Sequence, residues 1–170
     1  MADTEGQEKL RGYLAAQSAK LPAAEIRARL DEAAQEFFAA VSGVDDARAH
    51  RRPAPGEWSV AEVVDHVTVT LEDVLPLMRT LAGGALPTQA MVVSHAPANA
   101  ALPLATLLER LRRGQAAVAD FLAAQGAEPH TDLRVADGYF GQINWKGYAL
   151  ILRLHYRDHA QQVARTLAAV

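Results

Sequence analysis

The chain has 170 residues, 50% of them hydrophobic but only 6% aromatic, with a formal net charge of −3 and no cysteine. That length suits one domain with a sizeable core, and the missing cysteine excludes a disulfide framework, a thiolate nucleophile and any cysteine-based zinc or iron–sulfur site. The slightly acidic balance, with a pI near 6.1, argues against nucleic acid as the main partner, because neutralising phosphates takes a concentrated basic surface.

The N-terminus, MADTEGQEKL, lacks the basic-then-apolar layout of a secretory signal. No uninterrupted apolar run reaches the roughly eighteen residues a membrane span needs, so a soluble, cytoplasmic protein without a membrane partner is expected. Residues 1–21 read as an N-terminal extension, in which Leu10, Tyr13, Leu14 and Leu21 mark a first amphipathic helix from about Gly6 to Lys20. Pro22 breaks that helix and suits the first turn of the next, where a missing N–H costs nothing. Ile26, Leu30, Ala33, Ala34, Phe37, Phe38 and Val41 then form an apolar stripe that ends near Gly43. Between Val44 and Trp58, Pro53, Pro55 and Gly56 predict an ordered loop across one end of a bundle. Its basic cluster, Arg48, His50, Arg51 and Arg52, is interleaved with Asp45, Asp46 and Glu57 and reads as a solvated surface.

Ser59 precedes an apolar run and has Glu62 three residues later, the capping-box pattern that starts a helix. Val60, Val63, Val64, Val67, Leu71 and Val74 define its core stripe, with His66 on the edge beside Val63. This helix runs to Gly83–Gly84, with Pro76 predicting a kink. A long connection to Leu102 follows, of the length that parallel neighbouring helices require. The next helix starts near Pro103, carries Leu104, Leu107, Leu108, Leu111, Val118, Phe121 and Leu122 as its stripe, and stops at Gly126. Arg110, Arg112 and Arg113 are expected on its solvated face. Between Thr131 and Gly141 the run DGYFG predicts a turn whose Tyr139 and Phe140 plug the bundle end, and a last helix begins at Gln142 to Asn144 and runs to the C-terminus. No internal repeat or linker divides the chain, so residues 1–170 read as a single domain.

The last helix carries His155 and His159, and the earlier one His66. Residues at i and i+4 share a helix face, so both imidazoles of the pair can reach one cation. An HxxxH pair also arises by chance, and a histidine on a half-apolar helix is often a hydrogen-bonded structural residue; position is what separates the readings. Tyr148, Leu152, His155, His159, Val163 and Leu167 recur at steps of three and four, placing the pair in the core-facing stripe and predicting that it is buried. A shared divalent ion then satisfies two adjacent imidazoles at once, with His66 as the candidate third ligand. His95 and His130 fall in connections and are expected to be surface histidines. The motif is not a zincin, since Tyr156 stands where HExxH requires glutamate. Ser42, Ser59 and Ser94 lack a base and an orienting acid, and the Glu-x-x-His pairs of di-iron bundles are absent. Asp65 and Asp158 flank the histidines but, as i±1 neighbours, are expected to face solvent; Trp58, Trp145 and Tyr156 are read as cavity lining or as helix-end packing.

These residues carry a resemblance. A Trp58–Ser59 helix start with His66 seven positions beyond the serine, the HxxxH pair His155 and His159 near the C-terminus, and the helix start NWKGY at Asn144 to Tyr148 together resemble the DinB-like family, including its bacillithiol- and mycothiol-dependent transferase relatives. The resemblance covers about Leu21 to Val170. It implies an all-α fold, a four-helix bundle in up-down-down-up order, here with an extra N-terminal helix; a homodimer; and a divalent metal on three histidines, which fall on His66, His155 and His159. Zinc, nickel and iron all suit such nitrogen ligands. Two functions follow. One is an enzyme of transferase or hydrolase type, in which the metal activates a low-molecular-weight thiol or water against a small-molecule substrate. The other is a non-catalytic, stress-associated bundle that binds a metal or small ligand. The first needs an open coordination position reached by a cavity; the second predicts a closed site or a fourth protein ligand.

Overall fold

A computed structural model of the chain describes residues 4–88 and 97–170. The elements in chain order are α1 (Thr4–Lys20), α2 (Ala23–Ala40), α3 (Asp46–Ala49), α4 (Val60–Ala82), α5 (Leu104–Ala124), β1 (Val135–Asp137), β2 (Gly141–Ile143) and α6 (Trp145–Ala169). Helices α2, α4, α5 and α6 form the bundle. Each packs on two neighbours, in the cyclic order α2–α6–α4–α5.

Side-chain contacts fix the directions. Phe37 and Glu36, late in α2, meet Tyr156 and Arg157 midway along α6, while Ala23 and Lys146 at the starts of the two helices share Glu128, so α2 and α6 run parallel. His66, early in α4, meets His159, late in α6, which makes that pair antiparallel. Asp65 pairs with Arg110 near the starts of α4 and α5, so these are parallel, and the long connection between them is the crossover such neighbours require. The Ala23 N–H that opens α2 donates to Glu128, just beyond the end of α5, so α2 and α5 are antiparallel. The order is up-down-down-up.

The helix stripes read from the sequence are the core: Ile26, Leu30, Phe37, Val60, Val63, Val64, Val67, Leu107, Leu111, Val118, Tyr148 and Val163 are all fully buried. Burying side chains of this size contributes about 1.5–3 kcal/mol each before the entropy of ordering them is subtracted. Among the described residues no helix is long and apolar enough to cross a membrane. Helix α1 lies outside the ring, against α6 and β2, and inserts Leu14 into the core.

Several details depart from the sequence reading. The loop after α2 contains the short α3, whose N-cap Asp45 accepts a hydrogen bond from the Arg48 N–H at 2.9 Å. In one respect the reading holds: α4 continues past Pro76 to Ala82 and is capped by Gly83, and proline's missing donor faces the Glu72 carbonyl where the helix is exposed. The DGYFG turn closes an antiparallel hairpin in which Val135 faces Ile143. Tyr139 does not plug the bundle: it is 53% exposed, and its carbonyl and that of Gly138 accept from Arg11 of α1. Arg48, Arg51, Arg52, Arg112 and Arg113 are exposed, as read, and three of them also make specific contacts. Arg48 donates to the Leu167 carbonyl at 2.7 Å, Arg52 pairs with Glu62, and Arg112 lies over the Phe38 ring. Arg110 is not on a solvated face; it bridges Glu72 and the fully buried Asp65.

Candidate metal centre and its adjoining cleft

The start of α4 is fixed by the anticipated capping box: the Ser59 hydroxyl accepts from the Glu62 N–H at 3.3 Å, and Glu62 accepts from the Ser59 N–H at 2.8 Å. This sets the rotation of the first turns and aims His66 into the bundle, where it is only 4% exposed. Trp58, immediately before the cap, lays its ring 4.8 Å from the His66 ring. Late in α6, His155 and His159 occupy one face, their ring centroids 4.3 Å apart, and stand 4.9 and 4.8 Å from His66.

One ligating nitrogen from each of the three histidines lies within 4.8 Å of the others. Nitrogens bound to one tetrahedral ion at about 2.0–2.1 Å stand roughly 3.3 Å apart. Side-chain rotation of the half-buried pair spans that difference, so the donor set fits a single divalent cation. No carboxylate joins the cluster among the described residues.

The expected full burial of the pair is corrected: His155 and His159 are half-buried while His66 is buried. The site therefore has a closed side, toward α4, and an open one. The core-facing step at this level of α6 is taken by Tyr156, which is fully buried against Phe37, ring centroids 5.7 Å apart. Burial pushes its hydroxyl far above the ordinary tyrosine range, with Asp31 adding to the shift, so it stays protonated. Tyr156 is thus turned toward α2, away from the cluster.

His159 shows its tautomer. Its Nδ1 lies 2.7 Å from Gln162 Oε1; an amide oxygen only accepts, so Nδ1 carries the proton and Nε2 presents a lone pair. Burial lowers the His159 pKa, opposed by the Gln162 hydrogen bond and by Asp158, which keeps the ring neutral and ready to ligate near neutral pH. Gln162 was not anticipated, although its i+3 spacing from His159 is the signal that would have found it.

Other candidates fall elsewhere. Asp158 is exposed, as expected, but Asp65 is buried and faces Arg110 and the Asn99 N–H, not His66 or solvent. Trp145 packs at the opposite end against Phe121 and donates to the Pro129 carbonyl. His130 is exposed beside Gly84, roughly 27 Å along α4 from His66 at the usual helical rise. His95 and Ser94 lie outside the described residues.

A cleft of about 540 Å³ adjoins the cluster. Trp58 and Gln162, the residues touching His66 and His159, form part of its wall, and it continues past Glu57, Arg165 and Thr166 toward the end of α6.

Among curated proteins none matches the chain. Among solved structures, the chain is similar to one described as the crystal structure of TT2238, a four-helix bundle protein, with a TM-score of 0.62 and 20% identity, covering 84% of this chain and 98% of that one. That likeness concerns the fold. The DinB superfamily is matched over residues 29–163, which takes in α4 and α5, most of α2 and α6, the Trp58–Ser59 helix start and all three clustered histidines. The chain belongs to the DinB superfamily.

Proposed function

We propose that the protein is a metal-dependent enzyme in which His66, His155 and His159 hold one divalent cation, zinc, nickel or iron, for transferase or hydrolase chemistry on an electrophilic small molecule. The observation that carries this reading is the convergence of three imidazoles from two antiparallel helices, buried at His66, half-buried at His155 and His159, and next to a cleft walled in part by Trp58 and Gln162. A purely storage or structural site calls for closure or a fourth ligand, and no further histidine, aspartate or glutamate joins the cluster among the described residues.

Bound by three neutral ligands, such an ion acts as a Lewis acid that favours the deprotonated form of a water or thiol beside it. The chain's own residues prepare that chemistry. Burial holds His159 neutral, and Gln162 fixes which nitrogen it offers. Trp58 shields one face of His66 from water. Among the described residues no carboxylate joins the histidines, and the position between the pair, where a built-in base would stand, is Tyr156, protonated and directed at Phe37. A nucleophile that must lose its proton without a built-in base is better served by a thiol, with a pKa of about 8.5, than by water at about 15.7. This supports a low-molecular-weight thiol as co-substrate, which a chain without cysteine has to take from outside.

Elemental mass spectrometry on tag-free protein, wild type beside His66→Ala, tests the reading. About one divalent ion per chain in the wild type and none in the variant is expected. A wild type that takes up no metal after reconstitution with zinc, nickel or iron would overturn it.

A further inference from the structure

We propose that the cleft beside the histidines is a binding site for a small monocarboxylate, whose carboxylate is held by Arg165 while its remaining body lies along Trp58 toward the cluster. Three observations carry this. The cleft shares with the candidate metal centre Trp58 and Gln162, which touch His66 and His159. Arg165 lines it, is exposed, and forms no ion pair among the described residues. A guanidinium fork matches a carboxylate with two parallel donors. Beside it, Thr166 contributes a hydroxyl that makes no hydrogen bond among the described residues, although the residue is only 5% exposed.

The charge balance of the cleft limits what it accepts. The end of α6 presents carbonyls, and those repel anions; Arg48 covers one of them by donating to Leu167 at 2.7 Å. Glu57, on the facing loop, also lines the cleft and is not paired with Arg165. One cation facing one acid suits a single carboxylate and disfavours polyanions such as nucleotide phosphates. Trp58 supplies the apolar surface for the rest of the ligand. The orientation of the ligand, reacting end toward the histidines, rests on the metal-centre reading given above; the carboxylate site itself does not.

The experiment uses ¹H–¹⁵N NMR on the full chain, metal-free and zinc-loaded, titrated with 3-phenylpropionate and separately with 3-phenyl-1-propanol, its uncharged counterpart. The reporters are the Trp58 indole N–H and the Arg165 Nε–H. Trp145, whose indole is bonded to Pro129 at the far end, is the internal control. The carboxylate is expected to move Trp58 and Arg165 at about fivefold lower concentration than the alcohol, a preference of the size a partly exposed charge-assisted contact provides. Trp145 should stay still. In Arg165→Gln, an exposed substitution that leaves the core untouched, the preference should vanish. Equal response to both probes, a preference that survives in Arg165→Gln, or equal movement of Trp145 would each overturn the proposal. Zinc content measured on the same samples separates the two readings: no zinc uptake with a carboxylate preference leaves the cleft standing alone, whereas bound zinc without the preference removes the cleft and leaves the metal centre.

Discussion

The two ends of the bundle handle buried polar groups in opposite ways. At the end where α2 and α6 begin and α4 and α5 finish, Lys146, Asn144 and Trp145 each have a partner of matching kind, while the buried Tyr148 hydroxyl has none among the described residues. Lys146, 3% exposed, meets Glu128 at 2.7 Å, and the same carboxylate caps the first N–H of α2. Asn144 caps α6 through the Gly147 N–H and also donates to the Thr131 carbonyl, while Trp145 donates to Pro129. At the other end, three nitrogen donors converge on one another, and the adjoining cleft leaves Arg165 without an ion pair. The first arrangement pairs unlike groups with one another. The second gathers like groups, a donor set that fits a cation. Paired polar groups at a helix-bundle end thus mark construction, and gathered, mutually similar ones mark a site.

The sharpest way to break this contrast is to remove one member from each end. At the histidine end, His155→Ala should abolish stoichiometric metal while far-UV circular dichroism stays that of the wild type, because the half-buried ring leaves little core behind. Full metal retention would remove His155 from the ligand set. At the opposite end the order of effects reverses. Lys146→Ala strands Glu128 and opens a cavity, which should lower stability by about 3 kcal/mol, read by urea denaturation, with metal content unchanged. Adding Glu128→Gln to Lys146→Met should recover most of the loss, since replacing both members leaves no buried charge. An unchanged denaturation midpoint in Lys146→Ala would show that the pair contributes nothing.

A smaller effect tests whether the histidine end is prepared for its ligand. Gln162→Leu removes the acceptor that fixes the His159 tautomer and should weaken metal affinity by about tenfold, the scale of such supporting contacts. Competition with a chromogenic chelator measures it, and equal affinity in variant and wild type would deny Gln162 that positioning role.

What could be read from the sequence divides along the same lines of locality. The Ser59 capping box, the apolar stripes and the His155–His159 pair are encoded within a few residues of one helix, where a period of 3.6 is sufficient evidence. That His66 reaches the pair needed the rotations of two separate helices to agree, and the family resemblance carried that expectation where spacing could only permit it. The features that escaped are those decided by distant partners or by brevity. Asp65 was expected in water because nothing near it signals Arg110, 45 positions away and on a different helix. The strands of the hairpin are three residues each, too short for alternation to show. The half-burial of His155 and His159 follows from Tyr156 taking the inward step at that level of α6, a choice between neighbouring faces that the stripe Tyr148–Leu152–His155–His159 does not resolve.

The smallest effect lies on the connection that holds the histidine end together. His50 has carbonyl oxygens at both ring nitrogens, Asp46 at 2.7 Å from Nδ1 and Leu102 at 3.1 Å from Nε2. Both nitrogens can donate only in the imidazolium form. The Asp46 carbonyl accordingly raises the His50 pKa above its ordinary 6.5, against the opposing effect of burial, with Leu102, the Asp46 carboxylate and the Ala100 backbone adding to the rise. A raised folded-state pKa means that the protonated clamp contributes its full stability below the unfolded value and loses it as pH climbs through the folded one. His159 works in the other direction, its lowered pKa giving stability that is complete above its unfolded value and fades as pH falls. The two slopes overlap near neutrality, so the wild-type melting curve alone cannot separate them, but the difference between wild type and His50→Gln cancels His159. In metal-free protein that difference should shrink by about 1 kcal/mol or less between pH 6 and pH 8, roughly 2–4 °C in Tm at most for a chain of this size. A difference that is flat across the window, or that grows with pH, would mean that His50 joins α3 to the start of α5 as a neutral ring, and that the connection is held instead by the Asp46 carboxylate on the Leu104 N–H at 2.7 Å.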